Sequence, residues 1–373
     1  MESLKNNLEI LDTLSTLPYP EAVKKYTPIL TEYIIQKLAQ NNRILPENLQ
    51  LVTASYLNKP GKYLRPRLVM LTCEAAGKAP SKALPAAAAM EMFHNWTLIH
   101  DDIIDHDTIR RNHPTGHVFG AELGKKAWSL ADKSSKEYGL SLAILSGDVL
   151  QGQVFQLLSS LHDLDARVIL SLINRLSGKL YNELLAGEQL DIDLSNRHIS
   201  EIEVAEIMEM MRLKTGSLLQ FCAEIGYAIG QNMPVEENYT AQQLGLFAES
   251  CGIAFQLQDD ILGIYGDPQK LGKNVGSDLR EGKHTVLLRA TWQNASKSEQ
   301  QLIEKNVGNP NASQEDLCKI KQMMLDKKIV DKIKAIAEGK ITFAMQTLHA
   351  SIPDAPIRQH LELWAESMTQ RHQ

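Results

Sequence analysis

The sequence predicts an all-α protein that folds as one large helical bundle. Apolar residues recur at intervals of three and four along almost the whole chain of 373 residues, which is the period of an amphipathic helix. No alternation of apolar and polar residues recurs between these segments, so a parallel α/β sheet is a poor fit. Because the chain shows no internal repeat and no low-complexity linker, we expect a single domain over residues 1–373.

The predicted helices follow from capping signals and apolar periodicity. Pro85 stands where a first helical turn can begin, and Pro114 lies beyond the end of the apolar segment that follows it. Ser200 with Glu203 forms a capping-box pattern before another long apolar stripe. On these criteria, helices are predicted at about 21–43, 46–57, 65–77, 84–108, 139–162, 165–190, 200–230, 240–265, 284–295, 298–307, 313–350 and 355–370.

Two polar stretches, 120–138 and 266–283, separate predicted helices and are interpreted as loops. The first contains Lys and Ser and is interpreted as a surface insertion. The second is rich in Gly and charge. A structureless stretch of that length in a compact domain tends to be functional or disordered.

The composition excludes several classes of protein. The hydrophobic fraction is 43%, the charged fraction is 23% and the net charge is −6. This balance argues against a nucleic-acid coat protein or a polybasic membrane patch. The four cysteines form no CxxC pair, so we expect all of them to be reduced, buried small hydrophobes. The sequence contains no apolar run of about 18 residues and no recognisable targeting segment, which together predict a cytoplasmic protein.

Three aspartates end the predicted helix 84–108. Asp101, Asp102 and Asp105 form a DDxxD pattern, and Asp101 and Asp105 are one helical turn apart on the same face. Two carboxylates at about 4 Å repel each other by about 4 kcal/mol at an effective dielectric constant of 20. A solvated acidic face is the ordinary interpretation, but the preceding residues are strongly apolar. Hard oxygen ligands of this kind select Mg²⁺ or Ca²⁺, and substrate phosphates commonly complete the Mg²⁺ shell.

A second acidic pair, Asp259 and Asp260, also ends an apolar predicted helix. Two acidic pairs at the ends of core helices can converge across a bundle cavity, as in metal-binding bundles. Basic residues stand beside Gly or Pro at the ends of several segments, where Arg and Lys can pair with phosphate. The sequence contains no GxGxxG loop and no P-loop, so a nucleotide-binding fold is not predicted.

These residues resemble the trans-isoprenyl diphosphate synthase family over roughly residues 58–349. The resemblance rests on ordered motifs: GKYLRP at 61–66, HNWTLIHDDIID at 94–105, RR at 110–111, GD at 147–148, KT at 214–215, FQLQDD at 255–260 and GSDLREGKHT at 276–285. It implies an all-helical bundle of the isoprenoid synthase type around a deep central cavity. It also implies Mg²⁺-dependent, head-to-tail condensation of isopentenyl diphosphate with an allylic diphosphate (dimethylallyl, geranyl or farnesyl), and a homodimer.

The resemblance also implies residue roles. Three Mg²⁺ ions are expected, and the residues implied to hold them are Asp101, Asp102, Asp105, Asp259 and Asp260. The residues that resemble the allylic diphosphate grip are Arg110, Lys214, Lys273 and Lys283. Those that resemble the isopentenyl diphosphate pocket are Lys62, Arg65, His94 and Arg111. Thr215 and Gln256 match positions that face the developing carbocation. The second motif reads DDILG, with Gly263 where the family commonly has Asp, so Gly263 is excluded from the metal ligands.

Product length is expected to depend on Trp96, with Thr97 and Phe93 beside it. Trp96 lies five residues before Asp101, about 7.5 Å deeper along the helix, where a large rigid ring would close an apolar tunnel. This pattern resembles the short-chain type that makes geranylgeranyl diphosphate (C20), with farnesyl diphosphate (C15) as the alternative. A longer polyprenyl diphosphate synthase, a silent regulatory subunit and a class I terpene cyclase are the remaining alternatives.

Overall fold

The computed structural model describes residues 8–12, 16–41, 44–58, 61–266, 279–280 and 282–369. Over these residues the chain is almost entirely helical. The α-helices are α1 (Tyr19–Asn41), α2 (Glu47–Ala54), α3 (Leu64–Ala75), α4 (Leu84–Ile104), α5 (Gly116–Trp128), α6 (Asp132–Ser159), α7 (Ala166–Asn174), α8 (Tyr181–Asn196), α9 (Val204–Met211), α10 (Ser217–Gln231), α11 (Tyr239–Tyr265), α12 (Val286–Gln293), α13 (Lys297–Asn306), α14 (Gln314–Asp326), α15 (Ile329–Ser351) and α16 (Ala355–Thr369). The all-α prediction is confirmed.

The chain divides into two compact units. The first unit comprises Met1–Ile173 and Glu224–Asn238, and the second comprises Asn174–Ala223 and Tyr239–Gln373. Within the described residues, no helix is both long enough and apolar enough to cross a bilayer. The single domain and the cytoplasmic location remain predictions.

Helix α4 is the central element of the first unit. Its first half presents four consecutive alanines, Ala86 to Ala89, and all of them are fully buried, as are Met90, Met92 and Phe93. A helix that is apolar on all sides belongs in a core, and α4 packs closely against α6. It ends at Ile104, so the three aspartates lie in its last turn and at its C-cap.

A short β-hairpin follows α4. Strands β1 (Ile109–Arg110) and β2 (His113–Pro114) pair antiparallel. The two residues between them, Arg111 and Asn112, have φ angles of 52° and 62°. Two successive left-handed residues are typical of a type I′ turn, which matches the twist of a tight hairpin. No pattern in the sequence predicted this hairpin.

The loop predicted at 120–138 is wrong, because α5 and the start of α6 occupy most of it. Its lysines, which suggested a loop, are exposed on the surfaces of these two helices. A Cβ added to Gly120 would lie 3.0 Å from the Cα of Gly139, and one added to Gly139 would lie 2.1 Å from the carbonyl oxygen of His117. These glycines allow two helix backbones to approach closely. Glycine in a sequence signals either a turn or a close approach, and here it is the second.

Three other predicted segments are interrupted. The helix predicted at 165–190 contains a π-helical segment, Arg175–Leu180, and the helix predicted at 200–230 contains another, Arg212–Gly216. The helix predicted at 313–350 is two helices, α14 and α15, because Lys328 has a φ of 55° and breaks the first. In the loop predicted at 266–283, residues 267–278 and 281 lie outside the described residues. The expectation of four buried cysteines is wrong for Cys318, which is exposed.

The second unit is built around α11, which packs along α15 and also contacts α16. The C-terminal half of α11 contributes Leu257, Ile261 and Ile264 to one apolar cluster with residues such as Met324 and Ile333. This packing fixes the segment that carries the second acidic pair.

Candidate active site

The three aspartates at the end of α4 have different environments. Asp102 is fully buried, and its carboxylate accepts hydrogen bonds from the Tyr56 hydroxyl and from Arg110 Nε, the latter at 2.6 Å. The side chain of Asp101 is 19% exposed, and Asp105 is exposed at the helix C-cap. Burial raises the pKa of Asp102 above its ordinary value, although Arg110 and Tyr56 oppose this shift. Asp101 and Asp105 therefore form the accessible part of the motif.

Tyr56 lies just after α2 and was not identified from the sequence. Its hydroxyl donates to Asp102 and accepts a hydrogen bond from the backbone N–H of Gly116, with a donor–acceptor distance of 2.9 Å. Burial and the neighbouring Asp102 carboxylate raise the pKa of Tyr56 far above its ordinary value, so the phenol stays protonated. One buried hydroxyl thus joins the segment after α2 to the end of α4 and the start of α5. A tyrosine in an apolar segment gives no sequence signal for this role.

Arg110, on β1, contacts the acidic cluster. Its Nη2 lies 3.2 Å from Asp101 Oδ2 and 3.7 Å from Asp107 Oδ2, and it also pairs with Asp102. Burial alone would lower the pKa of Arg110, but the hydrogen bond to Asp102 and the surrounding carboxylates raise it. The structure therefore places this candidate phosphate-binding residue among the aspartates.

A second group of candidate residues lies around His94, which is on α4 seven residues before Asp101. Arg65 and Arg111 act on His94 electrostatically. Burial, followed by these two arginines and Arg110, lowers the pKa of His94 well below 6.5, so the ring is neutral at pH 7. Gly61 is packed against Arg111, since an added Cβ would lie 2.8 Å from its Nη2. Arg65, His94 and Arg111, predicted to share one pocket, are thus brought together, and Lys62 nearby in sequence is exposed.

In the second unit, Lys214 and Thr215 lie within the π-helical segment Arg212–Gly216. Such segments place side chains at positions that a regular α-helix does not offer, and they are frequent at functional sites. Thr215 Oγ1 donates to Gln256 Oε1 at 3.4 Å. The two residues predicted to face a carbocation are therefore neighbours.

Lys214 is held by two carboxylates that the sequence analysis missed. Its Nζ lies 2.6 Å from Asp191 Oδ2 and 3.0 Å from Glu188 Oε2. Both belong to α8, where a spacing of three residues puts them on one face; this spacing was the available signal. Gly187 permits the contact, because an added Cβ would lie 2.5 Å from the backbone nitrogen of Lys214.

The remaining candidates fall into three groups. Asp259 is partly buried and Asp260 is buried on α11, with Gly263 in the next turn. Lys283 is exposed before α12, and Lys273 lies outside the described residues. Within the described residues, no three His, Cys, Asp or Glu side chains form a group that could hold a metal ion.

The candidate chain-length residues lie on α4. Trp96 is 4% exposed, and its ring meets Phe93 edge to face with centroids 4.9 Å apart. Thr97 Oγ1 donates to the carbonyl oxygen of His94 at 2.7 Å. Phe93 and Trp96 therefore pack against each other, and all three residues lie one to two turns before the acidic cluster.

The polyprenyl synthetase family model matches residues 46–324 of this all-helical chain. The chain belongs to that family and is a prenyltransferase of the isoprenyl diphosphate synthase class. It is 35% identical over 272 residues to geranylgeranyl diphosphate synthase of Sulfolobus acidocaldarius. The aligned region covers 72% of this chain and 74% of the relative.

Solved structures agree with this assignment. Geranylgeranyl pyrophosphate synthetase from Pyrococcus horikoshii superposes with a TM-score of 0.81 at 29% identity, covering 94% of this chain and 97% of that one. Geranylgeranyl pyrophosphate synthase from Corynebacterium glutamicum, solved with isoprenyl diphosphate and magnesium, gives a TM-score of 0.79 at 25% identity, covering 97% and 99%. The predicted family and fold type are confirmed.

Proposed function

We propose that this protein condenses isopentenyl diphosphate head-to-tail with allylic diphosphates in a Mg²⁺-dependent reaction, and that its product is geranylgeranyl diphosphate. The observation that carries the proposal is the arrangement around α4. Two accessible carboxylates, Asp101 and Asp105, lie at its end, while His94 on the same helix lies among arginines. One helix thus carries both a site for cations and a site for anions, as a reaction between two diphosphates requires.

The carboxylates fit Mg²⁺. Asp101 and Asp105 offer hard oxygen donors one turn apart, and they lie at the C-terminal end of α4, where the helix dipole already favours a cation. We propose three ions, two at Asp101 and Asp105 and one at Asp259, with Asp102 and Asp260 supporting them from buried positions. Bound Mg²⁺ neutralises charge that develops on the leaving diphosphate. The magnesium named with the Corynebacterium glutamicum structure supports this choice.

The basic residues would bind the two diphosphates. Lys214, now paired with Glu188 and Asp191, is a mobile point charge that phosphate can attract, and Arg110, Lys273 and Lys283 would join it on the allylic diphosphate. Arg65 and Arg111 offer planar forks for bidentate phosphate contacts, with Lys62 and His94 beside them. Because His94 stays neutral, it can accept or donate a hydrogen bond there without adding another charge.

The covalent step needs no nucleophilic side chain. The allylic carbon–oxygen bond breaks with its electron pair leaving on the diphosphate, and the double bond of isopentenyl diphosphate then attacks the allylic cation. A proton is lost from the new chain, and the departing diphosphate can accept it. Thr215 and Gln256, which hydrogen-bond to each other, would direct oxygen dipoles at the cation, and a dry pocket would protect it from water.

For product length, we propose that Trp96 forms the floor that stops elongation at C20. Its burial and its edge-to-face contact with Phe93 support a rigid ring at this position. Relatives at 31–36% identity are named as geranylgeranyl, geranylfarnesyl or farnesyl diphosphate synthases. Family membership alone therefore leaves the length open, and the floor residue carries the proposal.

The experiment is product analysis with the full-length protein. Purified protein is incubated with labelled isopentenyl diphosphate, Mg²⁺ and dimethylallyl, geranyl or farnesyl diphosphate in turn. We expect C20 product from each starter and no product in EDTA. Absence of any elongated diphosphate would contradict the proposal and favour a silent subunit. Formation of a cyclic hydrocarbon would favour a terpene cyclase. Accumulation of C15 from geranyl diphosphate would show that the product is farnesyl diphosphate.

We also propose that the protein is a homodimer. Helix α6 exposes Leu140, Ile144 and Leu145, with 40%, 44% and 48% of their surface accessible. Leu140 and Ile144 are four residues apart and therefore share one side of the helix. Together with the adjacent Leu145 they form an exposed apolar patch, which we call the α6 face. Exposed apolar faces of this kind are typical of protein–protein contacts, and a second copy of the chain is the partner that we propose.

A further inference from the structure

Trp96 has a hydrogen-bonding partner that lies one turn along α4. Its indole Nε1 donates to Nδ1 of His100 at a distance of 3.1 Å, and the two ring centroids are 5.8 Å apart at an interplanar angle of 72°. The indole also meets the ring of Phe93 edge to face. The proposed floor therefore contacts two rings of its own helix.

His100 is itself fixed by α6. Because Nδ1 accepts the hydrogen bond from Trp96, the N–H of the ring is on Nε2, which lies 3.4 Å from the carbonyl oxygen of Ile144. This tautomer follows from the hydrogen-bond network. The ring also occupies the space above Gly147, where an added Cβ would lie 2.1 Å from Nε2 and 2.7 Å from Cδ2. No other residue could stand at position 147 without displacing the imidazole.

From these contacts we infer that His100 and Gly147 are positioning residues for product length: Gly147 makes room for His100, and His100 fixes the orientation of the Trp96 indole. The inference rests on the proposed function, in which Trp96 is the floor. A buried indole N–H without an acceptor is unfavourable, so loss of the His100 acceptor would let the ring reorient towards another partner. A reoriented indole would close the tunnel less completely, and longer products would follow.

The test compares two substitutions of His100 whose side-chain amides replace different nitrogens of the imidazole ring. His100→Asn retains an acceptor near the position of Nδ1, whereas His100→Gln retains polarity near Nε2 and lacks that acceptor. Each full-length variant is incubated with dimethylallyl diphosphate, isopentenyl diphosphate and Mg²⁺. We expect the ratio of products longer than C20 to C20 to rise at least threefold in His100→Gln and to stay close to wild type in His100→Asn.

Trp96→Phe provides a second measurement, because it removes the indole N–H and keeps an aromatic ring. It should shift the product ratio in the same direction as His100→Gln, and the double variant should shift it no further than the larger single change. Since Trp96→Phe leaves the α4–α6 contact untouched, it tests the inference even if His100→Gln fails to fold.

Trp96→Ala separates this inference from the proposed floor. If Trp96→Ala leaves product length unchanged, the floor itself is wrong. If Trp96→Ala lengthens the products while His100→Gln and Trp96→Phe match wild type, the floor stands and the role of His100 is refuted. Equal lengthening in His100→Asn and His100→Gln would also refute it, because the acceptor would then be irrelevant.

Discussion

The hydroxyl of Tyr56 donates a hydrogen bond to the buried carboxylate of Asp102. This contact, with the one from Arg110, separates the middle aspartate of the DDxxD motif from the other two. Asp102 is turned towards protein donors, while Asp101 and Asp105 lie at the accessible end of the helix. Three residues that look equivalent in the sequence therefore have two kinds of role, and substitutions should distinguish them.

Asp101→Asn should lower kcat strongly without unfolding the protein. The substitution removes the charge that we propose for Mg²⁺, and loss of one such electrostatic contact lowers kcat by about 10³-fold. Because the side chain is partly exposed and asparagine has nearly the same shape, the protein should remain folded, with only a small change in melting temperature. Steady-state kinetics at several Mg²⁺ concentrations and thermal unfolding measure the two effects. The control is Asp163→Asn, at an exposed residue paired with Lys82, and it should retain full activity. Near-normal turnover in Asp101→Asn would show that Asp101 is not a metal ligand.

Asp102→Asn should instead lower stability. The amide replaces a carboxylate that accepts from Tyr56 and Arg110, and hydrogen bonds to a charged group contribute about 1.5–3 kcal/mol each. We expect the free energy of unfolding in urea to fall by about 2 kcal/mol. Unchanged stability would mean that the buried carboxylate is not held as the structure shows.

Tyr56→Phe tests the same cluster from its other side. Without the hydroxyl, Asp102 loses a donor and the N–H of Gly116 loses an acceptor, so the free energy of unfolding should fall by about 2 kcal/mol. Turnover should fall as well, because Arg110 and Asp101 are tied to Asp102. Urea unfolding and kinetics are compared with Tyr239→Phe, at a tyrosine that is 72% exposed. If both phenylalanine variants behave alike, the Tyr56 hydroxyl has no structural role.

Local patterns in the sequence were enough to predict the motif helices. Spacing alone placed Asp101 and Asp105 on one face of a helix end, and it placed Lys214 and Gln256 on core helices. Contacts between distant segments could not be predicted from spacing. Tyr56 and Asp102, for example, are 46 positions apart, and a pair so far apart in the sequence produces no periodic pattern. The interpretation of 120–138 as a loop was wrong because polar residues on the exposed surface of a helix look the same in the sequence as polar residues of a loop.

Gly187→Ala should disturb Lys214. The added Cβ would lie 2.5 Å from the Lys214 backbone nitrogen, and backbone cannot yield as a flexible side chain can, so we expect a loss of about 1–3 kcal/mol in the free energy of unfolding. Activity should fall with it because the π-helical segment must shift. Gly178→Ala is the matched control on the same helical stretch: nothing lies within 4 Å of its added Cβ, so it should be neutral or stabilise by about 0.5–1 kcal/mol. Equal effects of the two alanines would contradict the close approach.

His94 should make stability sensitive to acid. Its folded-state pKa lies well below 6.5 because of burial and the nearby arginines, so below pH 6.5 the unfolded chain binds a proton that the folded protein does not. Stability is therefore fully present above about pH 6.5 and falls as pH decreases, by up to about 1.4 kcal/mol per pH unit. Urea unfolding at pH 7.5, 6.5 and 5.5 should show a steeper loss in wild type than in His94→Gln. Parallel curves for the two proteins would show that the imidazole is protonated in the folded state.

The α6 face should govern assembly. Replacing Leu140 and Ile144 together by Glu puts two charges on one side of α6, where a second copy is proposed to bind, and burying a leucine or isoleucine is worth about 1.5–3 kcal/mol. The double variant should therefore dissociate at protein concentrations at least about 10²-fold higher than wild type. Sedimentation velocity over a concentration series measures this, with Leu185→Glu as the control at an equally exposed leucine (54%) on α8. A double variant that still sediments as the wild-type species, or a control that dissociates equally, would place the interface elsewhere.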